Sequence, residues 1–210
     1  MGETRDPIGV VLAGGLGRRI GGAKAVVELR GTPLLLYPLR ALQAVLAEVV
    51  VVAKRGNALP PLPGVPIWIE PPEPRHPLAG IVHALEAGGA ASGIEGLGRE
   101  ILVSAGDLPF LEPGFVERLA RADAHGAAAV VPRAGGELQP LLARYSPAAH
   151  APLAAALRAD PLPPLSDVAA ALNPCVLACD DESPFFDVDA PEDLLTAAGL
   201  LDRDGEPWPQ

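Results

Sequence analysis

Apolar residues come in short runs along this chain, and small or polar residues separate them at two different spacings. Ile8-Gly9-Val10-Val11-Leu12, Val49-Val50-Val51-Val52-Ala53 and Ile101-Leu102-Val103 are continuous apolar stretches. Short β-branched runs without alternation mark strands buried on both faces of a parallel sheet. Another strand is predicted over 65–69, with Pro66 near its start, where proline is tolerated. Two more are predicted over 127–131 and 138–145, around a turn at 133–136. A late strand spans 175–178, and 185–188 is read as extended. Helical spacing appears in Leu35, Leu39, Leu42, Val45 and Leu46. Thr32 would cap this helix and Pro33 would take its first position. Pro38 then marks either a start or a bend. Further helices are predicted over 78–87, 113–125, 147–158, 164–172 and 192–201, with loops over 56–64, 71–77 and 88–98.

Strands alternating with helices predict an α/β fold. The expected form is a single domain with a Rossmann-like, mostly parallel sheet and helices on both faces. The domain is drawn over residues 1–201, and 202–210 is read as a loose C-terminal tail because nothing in it is periodic. Ligands in such sheets gather at the carboxyl ends of the strands. Chemistry is therefore sought in residues 13–24, 54–56, 70–77 and 106–109.

Composition narrows the partners. The 210 residues suit one ordinary domain, and 49% hydrophobic against 20% charged residues allows a sizeable core. A net charge of −10 argues against nucleic acid or an anionic membrane as partner, but not against a small phosphate ligand. No apolar run approaches the roughly 18–20 residues needed to span a bilayer. The N-terminus MGETRDP lacks a signal-peptide layout, so a cytoplasmic location is expected. Cys175 and Cys179 are too few for a disulfide scaffold and lack C-x-x-C spacing, so they are read as small strand residues. His76, His83, His125 and His150 form no ligand spacing, although His76 sits in a loop that could touch a ligand.

The first strand runs into LAGGLGRRIGGAK, residues 12–24, with five glycines, Arg18, Arg19 and one of the chain's two lysines, Lys24. Such a loop exposes backbone N–H groups that can cradle phosphate oxygens. Arginine and lysine side chains would add charge-assisted contacts. It is not a Walker loop, because Ala25 follows Lys24 and no hydroxyl is placed for magnesium. It is not a dinucleotide loop, because Ile20 stands where the third glycine belongs. A nucleoside-triphosphate transferase loop is the third reading. Among the acids, Asp107 follows a strand and can either hold a metal over phosphates or cap the next turn. Asp187 and Asp189 share one face of an extended segment, and Asp189 is also placed to cap the helix after Pro191. Glu192 and Asp193 suit the negative start of that helix.

The loop resembles the L-A-G-G-x-x-x-R-M-G-x-x-K signature of nucleotidyltransferases, and most closely that of the molybdenum cofactor guanylyltransferases. Five other segments are similar to this family and keep its order: GTPLLLYPLRAL, HPLAGIVHAL, SAGDLPFLEP, Gln139-Pro140-Leu141 and FFDVDAPEDL. The resemblance implies a nucleotide-diphospho-sugar transferase-like fold. It also implies Mg2+-dependent transfer of a nucleoside monophosphate, GMP from GTP, to the phosphate of molybdopterin, with release of pyrophosphate and no protein nucleophile. Arg19, Lys24 and Asp107 would be catalytic. Leu12, Ala13, Gly14, Gly15, Gly17, Arg19, Lys24, Lys54, Glu70 and Asp107 would bind the nucleotide, and Asp107 and Asp189 the metal. A molybdoenzyme or cofactor-insertion protein would be a natural partner. Three positions depart from the pattern. Ala23 replaces an aspartate, Lys54-Arg55 stand where asparagine is usual, and Pro71 replaces an acid for which Glu70 and Glu73 are the nearest substitutes. Base identity is therefore left open between GTP and CTP, and the acceptor between molybdopterin and a sugar phosphate or other small phosphorylated compound. A catalytically weak nucleotide-binding module serving a partner enzyme is the alternative from another class.

Overall fold

A computed structural model describes residues 6–14, 24–91 and 98–204. The first apolar run forms β1 (Ile8–Leu12), and a small hairpin follows, β2 (Glu28–Leu29) and β3 (Thr32–Pro33). Helix α1 (Leu36–Gln43) leads to β4 (Val49–Lys54) and β5 (Ile67–Glu70). Helix α2 (Pro77–Ala91), β6 (Ile101–Ala105) and α3 (Pro113–Arg121) come next. The second half holds β7 (Ala129–Ala134), β8 (Glu137–Leu138), β9 (Leu142–Tyr145), α4 (His150–Ala156), α5 (Leu165–Ala171), β10 (Cys175–Ala178) and α6 (Pro191–Asp204).

The main sheet runs β10-β7-β9-β6-β1-β4-β5, with β8 paired to β7. β1 is parallel to both β4 and β6, β4 to β5, and β10 to β7. Only β9 and β8 run against their neighbours. The sheet is thus mixed and mostly parallel, within one domain, as the alternating pattern predicts. One face packs Leu39 and Leu42 of α1 and Phe115, Val116 and Leu119 of α3 against Val11, Val51 and Leu102. The other packs Leu78, Ile81 and Leu85 of α2, with Leu153 of α4 and Val168 of α5, against Ile8, Val10, Val52 and Val103. This two-sided burial explains why β1, β4 and β6 lack alternation. A third cluster joins the hairpin to the last helix through Leu29, Leu34, Tyr37, Val188, Ala197 and Leu201. Among the described residues no helix is long and apolar enough to cross a membrane.

Several boundaries differ from the sequence expectation, each for a local reason. Thr32 and Pro33 do not open α1. They pair with Glu28 and Leu29 across Arg30 and Gly31, whose φ values of 52° and 76° suit a two-residue hairpin turn. The helix begins at Leu36, so Pro38 falls in its first turn, where the missing N–H has no intrahelical acceptor to lose. Helix α2 continues through Gly88, where a loop was expected. A methyl at Gly88 would stand 3.3 Å from Ile8 Cδ1, so glycine serves here for close packing on the sheet. The 138–145 stretch is not one strand: Gln139 to Leu141 intervene, with the Gln139 N–H donating to Pro132 O at 2.8 Å. Helix α3 stops at Arg121, four residues short of expectation. The 185–188 stretch begins instead in a 3-10 turn, Ser183–Phe185.

Candidate active site

Because β5, β4, β1 and β6 are parallel, their carboxyl ends open on the same side of the sheet. A cleft of about 800 Å³ lies there. Two glycines let its walls close up. The Gly106 N–H donates to Leu12 O at 3.1 Å, and a methyl at Gly106 would sit 2.9 Å from that same oxygen. In α2, a methyl at Gly80 would sit 3.0 Å from Leu12 Cδ2.

One cation and two acids meet at the centre. Lys24 opens a 3-10 turn immediately after the glycine-rich segment. Its Nζ donates to Asp107 Oδ2 at 2.8 Å and also pairs with Asp189 Oδ1. Asp107 arrives from the end of β6. Asp189 arrives from the chain entering α6, which is docked by the Val188 N–H donating to Asp107 O at 3.1 Å. The Lys24 and Asp107 side chains are only 15% and 17% exposed, whereas Asp189 is half-exposed. Burial alone would lower the Lys24 pKa, but the carboxylates of Asp107 and Asp189 outweigh it, so the ammonium form is held above its usual range. Asp187 also lines the cleft. Desolvation by the cleft wall raises its pKa, and repulsion from Asp189 and Asp107 raises it further against the pull of Lys24.

Asp189 is free for Lys24 because another residue takes the capping role. Asp193 Oδ2 accepts the N–H groups of Asp189 and Ala190 at 2.9 and 2.8 Å. That one-sided form of the capping box satisfies donors at the start of α6. Asp193→Ala is expected to lower unfolding free energy by about 1 kcal/mol, read from the urea midpoint. No change in midpoint would remove this role.

On the β4–β5 side, Ala13 and Gly14 form the cleft floor, and Asn57 Nδ2 donates to Ala13 O at 2.7 Å. Glu70 is 6% exposed and its Oε2 has no hydrogen-bond partner. Burial raises its pKa, and the charges of Lys54 and His83 oppose that rise. Its two oxygens lie 3.6 and 3.5 Å from where methyls on Gly14 and Gly80 would stand, so it packs against both the end of β1 and α2. Lys54 Nζ donates to Pro71 O at 2.7 Å and Pro74 O at 3.4 Å, and lies 3.5 Å from Glu70 Oε1. It therefore fastens the 71–74 loop to the end of β4. Glu73 instead pairs with Arg75 at 3.2 Å on the surface, so Glu70 is the acid that faces the cleft. His76 Nδ1 accepts the Leu78 N–H at 3.2 Å, and burial lowers its pKa, favouring the neutral imidazole.

Leu12, Ala13, Gly14, Lys24, Lys54, Glu70, Asp107 and Asp189 thus line one cleft although they are spread over most of the chain. Gly15, Gly17, Arg18 and Arg19 lie outside the described residues. Asn57 is a cleft residue that the sequence reading passed over, since 56–64 looked like a plain loop. Its one signal is an asparagine a few residues beyond the place where the resembling family carries one. Among the described residues no group of three or more His, Cys, Asp or Glu side chains is set to hold a metal, and the two cysteines are free.

Comparison with known proteins agrees with this fold. A family model described as the MobA-like NTP transferase domain matches residues 9–174. The probable molybdenum cofactor guanylyltransferase of Thermococcus gammatolerans is 34% identical over 198 residues, covering 89% of this chain and 96% of its own. The molybdenum cofactor guanylyltransferase of Cereibacter sphaeroides is also 34% identical over 198 residues, covering 93% and 97%. Among solved structures, molybdopterin-guanine dinucleotide biosynthesis protein A of Archaeoglobus fulgidus superposes with a TM-score of 0.72 at 23% identity, covering 93% of this chain and 99% of that one.

Proposed function

Since the chain belongs to the MobA-like NTP transferase domain family, we propose that it transfers the guanylyl group of GTP to the phosphate of molybdopterin. An acceptor phosphate oxygen attacks the α-phosphorus, a new P–O bond forms, and the bond to the bridging oxygen of the β-phosphate breaks to release pyrophosphate. The observation that carries this reading is the meeting of Lys24 with Asp107 and Asp189 in a cleft at the strand ends.

The cleft suits that chemistry. Because the acceptor brings its own phosphate nucleophile, the transfer runs directly between bound phosphates and calls for no covalent enzyme intermediate. The acceptor phosphate is already a nucleophilic anion and needs no general base. Lys24 supplies a fixed positive charge for the triphosphate. Ala13 and Gly14 bring backbone close to the nucleotide, and Asn57 fixes the Ala13 carbonyl. Glu70 presents a buried carboxyl with one unpartnered oxygen, which favours a base with a donor edge, as guanine has.

The donor set also fits Mg2+. Asp107 and Asp189 are hard oxygen ligands that already converge on one cation, the Lys24 ammonium. Magnesium commonly takes one or two protein carboxylates and completes its shell with water and phosphate oxygens. Asp107 and Asp189 would hold it, and it would supply charge neutralisation at the phosphates. The test is pyrophosphate release with each of the four nucleoside triphosphates, with and without molybdopterin and Mg2+. Release is expected only with acceptor and metal, and fastest with GTP. Equal rates without acceptor, or a preference for CTP, would overturn the assignment.

A further inference from the structure

We propose that Lys54, by holding Glu70 as a carboxylate, makes one wall of the cleft accept hydrogen bonds rather than donate them, and so sets the preference for guanine over adenine without touching the base. The inference rests on the reading above in which Glu70 meets the base of the nucleotide. Lys54 is the last residue of β4 and stands opposite Glu70, the last residue of β5, in their parallel register. The two side chains are 14% and 6% exposed, and Lys54 Nζ lies 3.5 Å from Glu70 Oε1. The same nitrogen donates to Pro71 O at 2.7 Å and Pro74 O at 3.4 Å. An ammonium has three protons to give, and three acceptors of the protein itself surround this one. Lys54 therefore acts on a ligand through Glu70 and the 71–74 loop, as a positioning residue.

The charge state of Glu70 decides which purine edge it fits. As a carboxylate it only accepts, and guanine offers two adjacent donors, a ring N–H and an amino group. As a neutral carboxyl it has one O–H to donate and one oxygen to accept, which complements the acceptor and donor of the adenine edge. Oε2 is the buried, unpartnered oxygen of the group, while Oε1 is the one that Lys54 approaches. Burial favours the neutral form, and the charges of Lys54 from β4 and His83 from α2 oppose it. Arg55, Arg75 and His76 line the same cleft, with Arg75 turned to Glu73. A histidine side chain sheds its charge as pH rises, so the lasting counter-charge is Lys54. A buried ion pair is weak support for a fold compared with apolar residues of the same volume. A carboxylate held in one charge state is, by contrast, what discrimination between two bases requires.

The test measures GTP and ATP affinity of the full chain by calorimetry over about pH 5–8. Their ratio cancels the ionisation of the triphosphate, which both nucleotides share. In Lys54→Met the preference for GTP is expected to fall by about tenfold at neutral pH. Lys54→Gln, which keeps a donor for the Pro71 carbonyl but no charge, should do the same. Without the ammonium Glu70 holds its proton more tightly, so the preference returns only as pH climbs through the raised pKa. The pH of half-restoration should lie at least about one unit above that of wild type. Glu70→Gln should lose the preference at every pH, and adding Lys54→Met to it should change the ratio no further. A Lys54 that only braces the loop would weaken GTP and ATP alike and leave the ratio and its pH profile in place, and that result overturns the proposal. A further fall in the ratio in the double variant overturns it as well, as does a wild-type chain with no preference for GTP. If Glu70→Gln keeps the preference, the base contact falls and the proposal with it. Failure of the guanylyl-transfer reading looks different: no pyrophosphate is released from GTP with molybdopterin, while the affinity ratio still reports on Lys54.

Discussion

Asp107→Asn is expected to lower turnover by about 100- to 1,000-fold with little loss of folded protein. The side chain keeps its size, and the amide oxygen can still accept from Lys24, so the local packing survives. What is lost is the negative charge beside Lys24, which is one of the two carboxylates proposed for the metal. Lys24→Met reaches the same loss by the opposite route. Asp107, Asp187 and Asp189 then stand together without the ammonium that neutralises them, so the apo protein is destabilised and Mg2+ should restore part of its melting temperature. Asp107→Asn together with Lys24→Met should cost less than the product of the two single losses, because the two groups are paired at 2.8 Å and are proposed to act on the same phosphates. Pyrophosphate release under saturating GTP and acceptor measures all three variants. Rates within about threefold of wild type in both single variants would sink the role assigned to this centre.

The strands that carry this site are legible in sequence because burial on both faces leaves a plain signature. β1, β4 and β6 are dominated by valine, isoleucine and leucine, and a residue that faces the cleft ends or follows each: Ala13 after β1, Lys54 as the last residue of β4, and Gly106 with Asp107 after β6. What local patterns do not show is competition between neighbours for one task. Asp189 and Asp193 can each cap α6, and only the three-dimensional path decides that Asp193 turns back while Asp189 turns to Lys24. Likewise nothing in V-V-A-K-R says that Lys54 ties down Pro71 and Pro74, since those carbonyls belong to a different strand end. Asn57 is hidden for a similar reason: its hydrogen bond goes to Ala13, 44 residues earlier. The hairpin was misread because Thr-Pro is also a good helix start, and the left-handed pair Arg30-Gly31 decides otherwise.

The second large effect is expected from one methyl group placed behind the centre. In Gly106→Ala the new Cβ would stand 2.9 Å from Leu12 O and 2.9 Å from Leu35 Cδ1. Leu35 can rotate its methyl away. The Leu12 carbonyl cannot retreat, because it is fixed between β1 and the Gly106 N–H that donates to it. The end of β6 must therefore peel from β1, and Asp107 moves with it. The shift passes on to Asp189, since the Asp107 carbonyl holds the Val188 N–H. Stability is expected to fall by about 1–3 kcal/mol, the usual cost of overpacking. Turnover should fall by about 100-fold, because a displacement near 1 Å is enough to spoil alignment of reacting groups. Gly114→Ala is the control: it lies in the first turn of α3, and a methyl there meets nothing within 4 Å. That variant should be as stable as wild type or slightly more so, with unchanged turnover. Thermal melts and pyrophosphate release measured on both variants decide the matter. If Gly106→Ala behaves like Gly114→Ala, the coupling between the packing of this strand end and the placement of Asp107 is wrong.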